Sequence, residues 1–128
     1  MRLVKHAGNS ALDFVENTRL GSAAFRLALE YNPRFSEPYN NLAIIAIRRG
    51  DYEDAERLLR HTLRLNPDWE KPWNNRAIEY AKRGDHPRAV EAFTRSLTIQ
   101  PEQTDAYGYR ALSRLRSALP SLPATRPK

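Results

Sequence analysis

A period of 34 residues is the feature of this sequence that most restricts its fold. Gly50 and Gly84 are separated by this distance, and each is followed by an aspartate. The same offset relates aromatic, aliphatic, small and proline positions along the chain: Tyr39, Trp73 and Tyr107; Phe25, Leu59 and Phe93; Leu29, Leu63 and Leu97; Ala43 and Ala77; Ala55 and Ala89; Pro33, Pro67 and Pro101. Such a period indicates structural repeats that stack on one another, because one repeat alone cannot bury its hydrophobic face.

Each repeat is predicted to be a pair of helices. Apolar side chains recur at helical spacing in residues 37–49. Gly50 is expected to end this helix, because glycine adopts the left-handed conformation at little cost. Asp51 is then the expected N-cap of a second helix, which Pro67 closes. The result is a helical hairpin, repeated once more around Gly84.

The same positions predict the core between the helices. The small residues allow two backbones to approach, and larger side chains fill the remaining volume. We expect four large residues to be core residues and not ligand contacts: Tyr39, Leu59, Trp73 and Phe93. Because a lone hairpin would leave these side chains in water, stability is expected to come from the stacking of neighbouring hairpins.

These residues resemble the tetratricopeptide repeat, a 34-residue unit written W-x2-L-G-x2-Y, then A-x3-F, then P. Residues 36–69 carry Tyr39, Leu42, Ala43, Ala55, Leu59 and Pro67 at the matching places. Residues 70–103 carry Trp73, Ala77, Tyr80, Ala89, Phe93 and Pro101, with Arg76 where the pattern has Leu. The resemblance implies an all-α fold, an α-solenoid of about three helix-turn-helix repeats plus a C-terminal capping helix.

The register of the repeat sets the expected boundaries. A repeat domain over residues 1–119 would contain repeats at about 2–35, 36–69 and 70–103, followed by a capping helix at 104–119. The first repeat is irregular: its second helix is expected at about residues 20–31, and aligning Gly8 with Ala43 requires one inserted residue between positions 15 and 20. Residues 120–128, which contain three prolines, are predicted to be a disordered tail.

The composition argues against catalysis and against a membrane protein. The chain has no cysteine, and its three histidines form no metal-ligand spacing or catalytic motif, so we expect no enzyme activity and no cofactor. Its apolar runs are shorter than the roughly 20 residues that span a bilayer, which leaves the cytoplasm as the default location. A net charge of +6 and a pI near 10 favour acidic partners. Sequence-specific nucleic-acid binding is not expected, because Arg57, Arg60, Arg64 and Arg95 are expected on second helices, facing away from the groove.

The resemblance implies a concave groove lined by the first helix of each repeat. The outward-facing positions there are Asn40, Asn41, Ile44, Ile47 and Arg48; then Asn74, Asn75, Ile78, Ala81 and Lys82; then Gly108, Tyr109, Leu112, Leu115 and Arg116. Amide side chains can donate to and accept from a peptide backbone, which suits an extended segment. A basic row (Arg48, Lys82 and Arg116) adds a preference for acidic ligands. We therefore expect a non-enzymatic scaffold that binds an extended, acidic peptide or protein segment.

Two alternatives remain. The run from Lys5 to Asn9 resembles the carboxylate-clamp co-chaperones, which grip the acidic C-terminal tail of heat-shock chaperones. That resemblance assigns clamp roles to Lys5, Asn9, Asn41 and Lys71, but Asn75 stands where the subgroup has an arginine, and Arg76 is expected to point to the packing side or the flank. Alternatively, the chain could oligomerise weakly through its last helix, where Leu112, Leu115 and Leu119 have no following helix to cover them.

Overall fold

The computed structural model describes residues 10–119, with side chains from residue 19 onward. Over this range the fold is all-α. The helices are α1 (Ser10–Tyr31), α2 (Ser36–Arg49), α3 (Tyr52–Leu65), α4 (Glu70–Lys82), α5 (His86–Ile99) and α6 (Thr104–Ala118). Helix α2 packs on α3 and α4 packs on α5, which gives two hairpins, while α1 and α6 flank them. This arrangement confirms the predicted α-solenoid.

The two hairpin turns have the same backbone geometry. Gly50 and Gly84 have φ angles of 80° and 84°, in the left-handed region that favours glycine. The amide of the next residue donates to the carbonyl five residues earlier, at 2.8 Å for Asp51 and 2.9 Å for Asp85. These bonds satisfy carbonyls that the end of the helix leaves unpaired. The predicted role of both glycines is confirmed.

The capping role predicted for the two aspartates holds for one of them. The Asp85 carboxylate accepts a hydrogen bond from the Arg88 backbone amide at 3.3 Å. Asp51 occupies the equivalent N-cap position, but its side chain makes no capping hydrogen bond. The expectation for the Asp51 side chain was therefore wrong, although the residue stands where the period places it.

Alanine at the turn glycines should destabilise the chain. Gly50→Ala and Gly84→Ala should each lower the free energy of unfolding by about 1 to 2 kcal/mol, because a Cβ is disfavoured at positive φ. Gly108 is the matched control: it lies inside α6, and an added Cβ would meet no atom within 4 Å. Gly108→Ala should raise stability by up to about 1 kcal/mol. Urea titrations followed by circular dichroism will measure all three, and a stabilising effect at Gly50 would contradict the turn geometry.

The apolar core falls into two clusters. One joins α2 and α3 around Leu59, and the other joins α4, α5 and α6 around Phe93. Both side chains are buried, as predicted. Tyr39 and Trp73 are only half-buried, so the expectation that all four large residues lie in the core was wrong for these two. Trp73 lies at the edge of its cluster, where the guanidinium of Arg95 covers its ring at 5.2 Å.

The junction between the hairpins is largely polar. Ile78 packs against both apolar clusters, and no other residue with a described side chain does so. Next to it, the Asn75 side-chain amide donates to the Asn40 side-chain oxygen at 3.0 Å, which ties α4 to α2. The Arg76 guanidinium donates to Glu56 at 3.0 Å, which ties α4 to α3. Hydrogen bonds therefore supplement a narrow apolar contact at this junction.

The first repeat differs from the expectation. Helix α1 runs without a break from Ser10 to Tyr31, so the helix expected at about residues 20–31 is part of a longer one and no turn separates residues 15 and 20. The reason is local, since no proline occurs in this segment and Gly21 keeps a negative φ. The boundaries drawn for repeats 2–35, 36–69 and 70–103 remain predictions, and the tail at 120–128 lies outside the described residues.

Helix α6 packs on α5 with one face and leaves the other uncovered. Ala106 and Ser113 are buried, whereas Leu112, Leu115 and Leu119 are exposed. The sequence predicted this uncovered leucine face. Self-association through it remains a prediction.

Over residues 10–119, no helix combines the length and hydrophobicity that crossing a bilayer requires.

Candidate binding groove

A groove lies between α4 and α6, with α5 beneath it. One part is a cavity of about 340 Å³ that is lined by six of the predicted groove residues: Ile78, Ala81, Lys82, Tyr109, Leu112 and Arg116. A neighbouring cavity of about 370 Å³ is lined by Asn74 and Gln103 and shares Ile78 and Tyr109 with the first. We call the two cavities together the α4–α6 groove. The residues predicted on α4 and those predicted on α6 thus lie on one continuous surface.

Aromatic rings form the floor of this groove. Phe93 of α5 lines both cavities, and its ring stacks on Tyr109 of α6 at a centroid distance of 6.0 Å and an angle of 21°. Ile78 adds an aliphatic wall. The basic side chains of Lys82 and Arg116 lie at one end, and Asp105 lies at the other. The groove is therefore apolar in its middle and positively charged at one end.

A second, smaller concavity lies between α2 and α4. This α2–α4 depression, of about 290 Å³, is lined by Glu37, Asn40, Asn41, Ile44, Trp69, Lys71, Asn74 and Asn75. Asn74 also lines the α4–α6 groove, so the two concavities adjoin. Asn41 has no side-chain hydrogen-bond partner among the described residues, whereas Asn75 is already bonded to Asn40.

Two of the predicted contact residues are packing residues. Asn40 is 3% exposed because its side-chain oxygen accepts the bond from Asn75 across the junction. Ile47 is buried in the cluster between α2 and α3. The predicted exposure of both residues was wrong. The helical period gives the angle at which a side chain leaves its helix, but not whether the neighbouring helix reaches it.

The remaining predicted residues are placed as follows. Arg48 is exposed in the last turn of α2 and does not line these concavities. Lys5 and Asn9 lie outside the described residues, so the clamp geometry at the start of the chain stays a prediction. Arg76 points away from the groove, toward Glu56 of α3, which agrees with the direction expected from the sequence.

Sequence reasoning missed several lining residues, among them Gln103, Trp69 and His86. Gln103 accepts a hydrogen bond from Asn74 at 2.7 Å and donates to the Ser96 hydroxyl at 3.0 Å, which fixes one wall of the groove. Trp69 and Gln103 are 34 positions apart and line equivalent concavities. The period itself therefore indicates that Trp69 and Gln103 occupy equivalent places. They lie just before α4 and α6, outside the first helices from which the groove residues were predicted.

Comparison with known proteins agrees with this architecture. The family model for the tetratricopeptide repeat matches residues 34–102, which is more than half of the chain. The chain belongs to the tetratricopeptide repeat family. Proteins of this family are scaffolds for protein-protein interaction, so binding a protein or peptide is the general role of the fold. The match includes both hairpins and the helices that line the α2–α4 depression.

Curated relatives match only a short segment. Tetratricopeptide repeat protein 8 of Mus musculus is 44% identical over 46 residues, which are 36% of this chain and 9% of the relative. The Homo sapiens protein matches the same length at the same identity, over 8% of its own length. This chain therefore spans a small fraction of the relatives that it matches.

Solved structures share the fold at low sequence identity. A Thermobaculum terrenum O-GlcNAc transferase superposes with a TM-score of 0.72 at 18% identity, over 91% of this chain and 24% of the other. The MamA protein superposes with a TM-score of 0.69 at 19% identity, over 77% of this chain and 54% of the other. These likenesses establish the tetratricopeptide solenoid and no shared ligand.

Proposed function

We propose that this tetratricopeptide repeat chain is a non-enzymatic scaffold that holds an extended, acidic segment of a partner protein across the α4–α6 groove. The observation that carries the proposal is the shared cavity of Ile78, Lys82, Tyr109 and Arg116, which combines apolar and basic side chains. A concave surface with an apolar centre and a few convergent polar groups is the usual form of a binding site.

The chemistry of the groove indicates what the segment contains. An aliphatic or aromatic side chain would lie between Ile78 and Tyr109, above the buried Phe93, and would displace water from the apolar surface of Ile78 and Tyr109. A carboxylate next to it would accept charge-assisted hydrogen bonds from Lys82 and Arg116. The partner is therefore expected to place an Asp or Glu close to a large apolar residue.

The adjoining α2–α4 depression would bind the backbone of the same segment. The Asn41 amide, which no described residue engages, can donate to a carbonyl and accept from an amide of an extended peptide. Lys71 in the same depression adds a positive charge, which the nearby Glu37 partly offsets. Sequence-independent backbone contacts here would complement the side-chain selection in the α4–α6 groove.

Charge reversal in the groove should weaken peptide binding. Peptides selected from a random displayed library against the wild-type chain should pair an acidic residue with an apolar one. Fluorescence anisotropy should show that Lys82→Glu and Arg116→Glu each weaken binding of the selected peptide by about tenfold, which corresponds to about 1.4 kcal/mol. Arg114→Glu is the matched control, because Arg114 is on the same helix as Arg116 but does not line the groove. An equal loss in all three variants would show that net charge, not the groove, determines binding.

The same assay separates groove binding from the carboxylate clamp. Asn41 and Lys71, two of the four clamp residues matched by the sequence, line one depression. Arg76 cannot replace the missing clamp arginine while it is bonded to Glu56. Amidation of the peptide C-terminus should therefore leave the affinity unchanged. A tenfold loss of affinity on amidation, together with a similar loss in Lys71→Ala, would show that the peptide binds through the carboxylate clamp and not through the groove.

A further inference from the structure

A second cleft lies on the opposite face of α4. It has a volume of about 320 Å³ and is lined by Trp73, Arg76 and Tyr80 of α4 and by Arg88, Glu91, Ala92 and Arg95 of α5. None of these residues lines the α4–α6 groove or the α2–α4 depression. Because successive residues of a helix are rotated by about 100°, Trp73, Arg76 and Tyr80 share a face that is nearly opposite to that of Asn74, Ile78 and Lys82. A ligand here would not compete with one in the groove.

Guanidinium groups and aromatic rings alternate along this cleft. The Arg76 guanidinium carbon lies 5.7 Å from the Trp73 ring centroid and 5.7 Å from that of Tyr80. Arg95 lies 5.2 Å from Trp73, and Arg88 lies 5.9 Å from Tyr80. Contacts of this kind stabilise a cation against a ring face and restrict its position. We call this arrangement the arginine-aromatic cleft.

The positive charge of the cleft is only partly balanced. Arg76 is paired with Glu56 at 3.0 Å, and Arg88 makes a long, exposed contact with Asp85 at 3.5 Å. Within residues 19–119, Arg95 has no carboxylate partner, and Glu91 forms no ion pair with any arginine of the cleft. The Nε of Arg76 is buried and has no hydrogen-bond acceptor. Two guanidinium groups that contact the same tryptophan thus retain donors for an anion.

We infer that the arginine-aromatic cleft is a second binding site, which takes a phosphate monoester between Arg76 and Arg95, with Arg88 as a third donor. Arginine is suited to this because its planar group donates two parallel hydrogen bonds to an oxyanion. A phosphate monoester carries a charge near −2 and three terminal oxygens, so it can engage two guanidinium groups together. A carboxylate has two oxygens in one plane and half the charge.

Single-stranded nucleic acid fits the cleft less well. Binding of that kind relies on aromatic faces on which bases stack. Here guanidinium groups already lie against the Trp73 and Tyr80 rings, as their distances show. The expected ligand is therefore a single phosphate group, carried on a side chain of a partner protein or on a small molecule.

The test uses phenyl phosphate as the probe and NMR of the whole chain as the readout. Trp69 and Trp73 are the two tryptophans, so Trp69→Phe assigns the indole signal of Trp73. Phenyl phosphate should shift that signal and should bind about tenfold more tightly than benzoate. Arg95→Gln and Arg88→Gln should each weaken binding at least about fivefold. Arg114→Gln removes the same charge from α6, outside the cleft, and should change nothing.

Three results would overturn the inference: no shift at Trp73, equal binding of benzoate, or an equal loss in Arg114→Gln. Thermal melts will confirm that the variants, all at exposed arginines, remain folded. A phosphoserine peptide and its unphosphorylated form identify the source of the phosphate. Tighter binding of the phosphopeptide than of phenyl phosphate would indicate a partner protein, and similar affinities would indicate a small phosphorylated molecule. Failure of the groove experiment would leave this result untouched, because the two sites share no lining residue.

Discussion

Phe93→Ala is expected to lower the free energy of unfolding by about 3 to 5 kcal/mol, the range for a buried aromatic residue replaced by alanine. Phe93 is 2% exposed and belongs to the cluster that joins α4, α5 and α6. Its removal would leave a cavity where three helices meet, so the loss cannot be repaired by a small shift of one helix. Urea unfolding followed by circular dichroism, with the m-value checked for two-state behaviour, will give the difference.

The comparison with Trp73→Ala makes this result diagnostic. Trp73 is larger than Phe93 but only half-buried, and part of its ring is covered by arginine instead of apolar side chains. Its replacement should therefore cost less than that of Phe93, although its place in the repeat alone suggests a similar cost. Arg48→Ala, at an exposed position on α2, should be near neutral. If Trp73→Ala were the most damaging change, the assignment of the core would be wrong.

Stability is expected to fall as the pH rises from about 4.5 to about 7, because of Glu79. This carboxyl group is fully buried beside the α3–α4 junction, and its Oε2 accepts a hydrogen bond from Arg83 at 2.7 Å. Burial, together with the neighbouring Glu56, raises the pKa of Glu79 to about 7, against the lowering effect of Arg83. For Glu56 itself, burial acts to raise the pKa, but the hydrogen bond with Glu79 and the charge of Arg76 lower it overall.

The direction of the pH effect follows from proton binding. In the unfolded chain Glu79 has a pKa near 4.5, so between pH 4.5 and 7 the folded chain keeps a proton that the unfolded chain has lost. Unfolding then releases a proton, and raising the pH favours it. The contribution is complete below pH 4.5 and lost above pH 7, with a size on the order of 3 kcal/mol at most. Glu56 acts in the more acidic range, because its folded pKa is lowered.

The Glu79→Gln variant isolates the contribution of Glu79 to the pH dependence of stability. The amide has the same shape and no charge, so the variant should lose most of the slope of stability against pH between 4.5 and 7. The slope that remains in the variant measures all other titratable groups. Urea titrations at several pH values will give both curves. Parallel curves for the wild type and the variant would show that Glu79 does not carry the proton.

The period predicted the parts of the fold that obey it. Gly50 and Gly84 end their helices as expected, and Ile78 and Leu112 line one groove because they are 34 positions apart and each lies at the same point of its own unit. Residues that depart from the period are harder to predict. Glu79 stands 34 positions after Ile45, and a glutamate on a helix is normally expected to face water. Arg83 is its i+4 neighbour and can be recognised in the sequence, but the proximity of Glu56 on α3 is a tertiary fact.

Arg76 is the clearest example of such a departure. It stands 34 positions after Leu42, which is buried, and the sequence showed it only as a mismatch to the tetratricopeptide pattern. In the structure it pairs with Glu56 and contacts two aromatic rings. The sequence indicated that Arg76 leaves the groove, but not that it lines a cleft on the other face of α4.

The divided core has a mechanical consequence. Each hairpin has its own apolar interior, whereas the boundary between the two hairpins relies on Ile78 and on polar bonds such as that between Asn75 and Asn40. Under tension along the solenoid, this boundary should deform first. Each hairpin should extend little before the boundary opens. A partner segment lying over Asn41 and Asn75 would span the boundary and contact both hairpins. Occupation of the depression would then stiffen the whole solenoid, so that the chain transmits force better when its partner is bound.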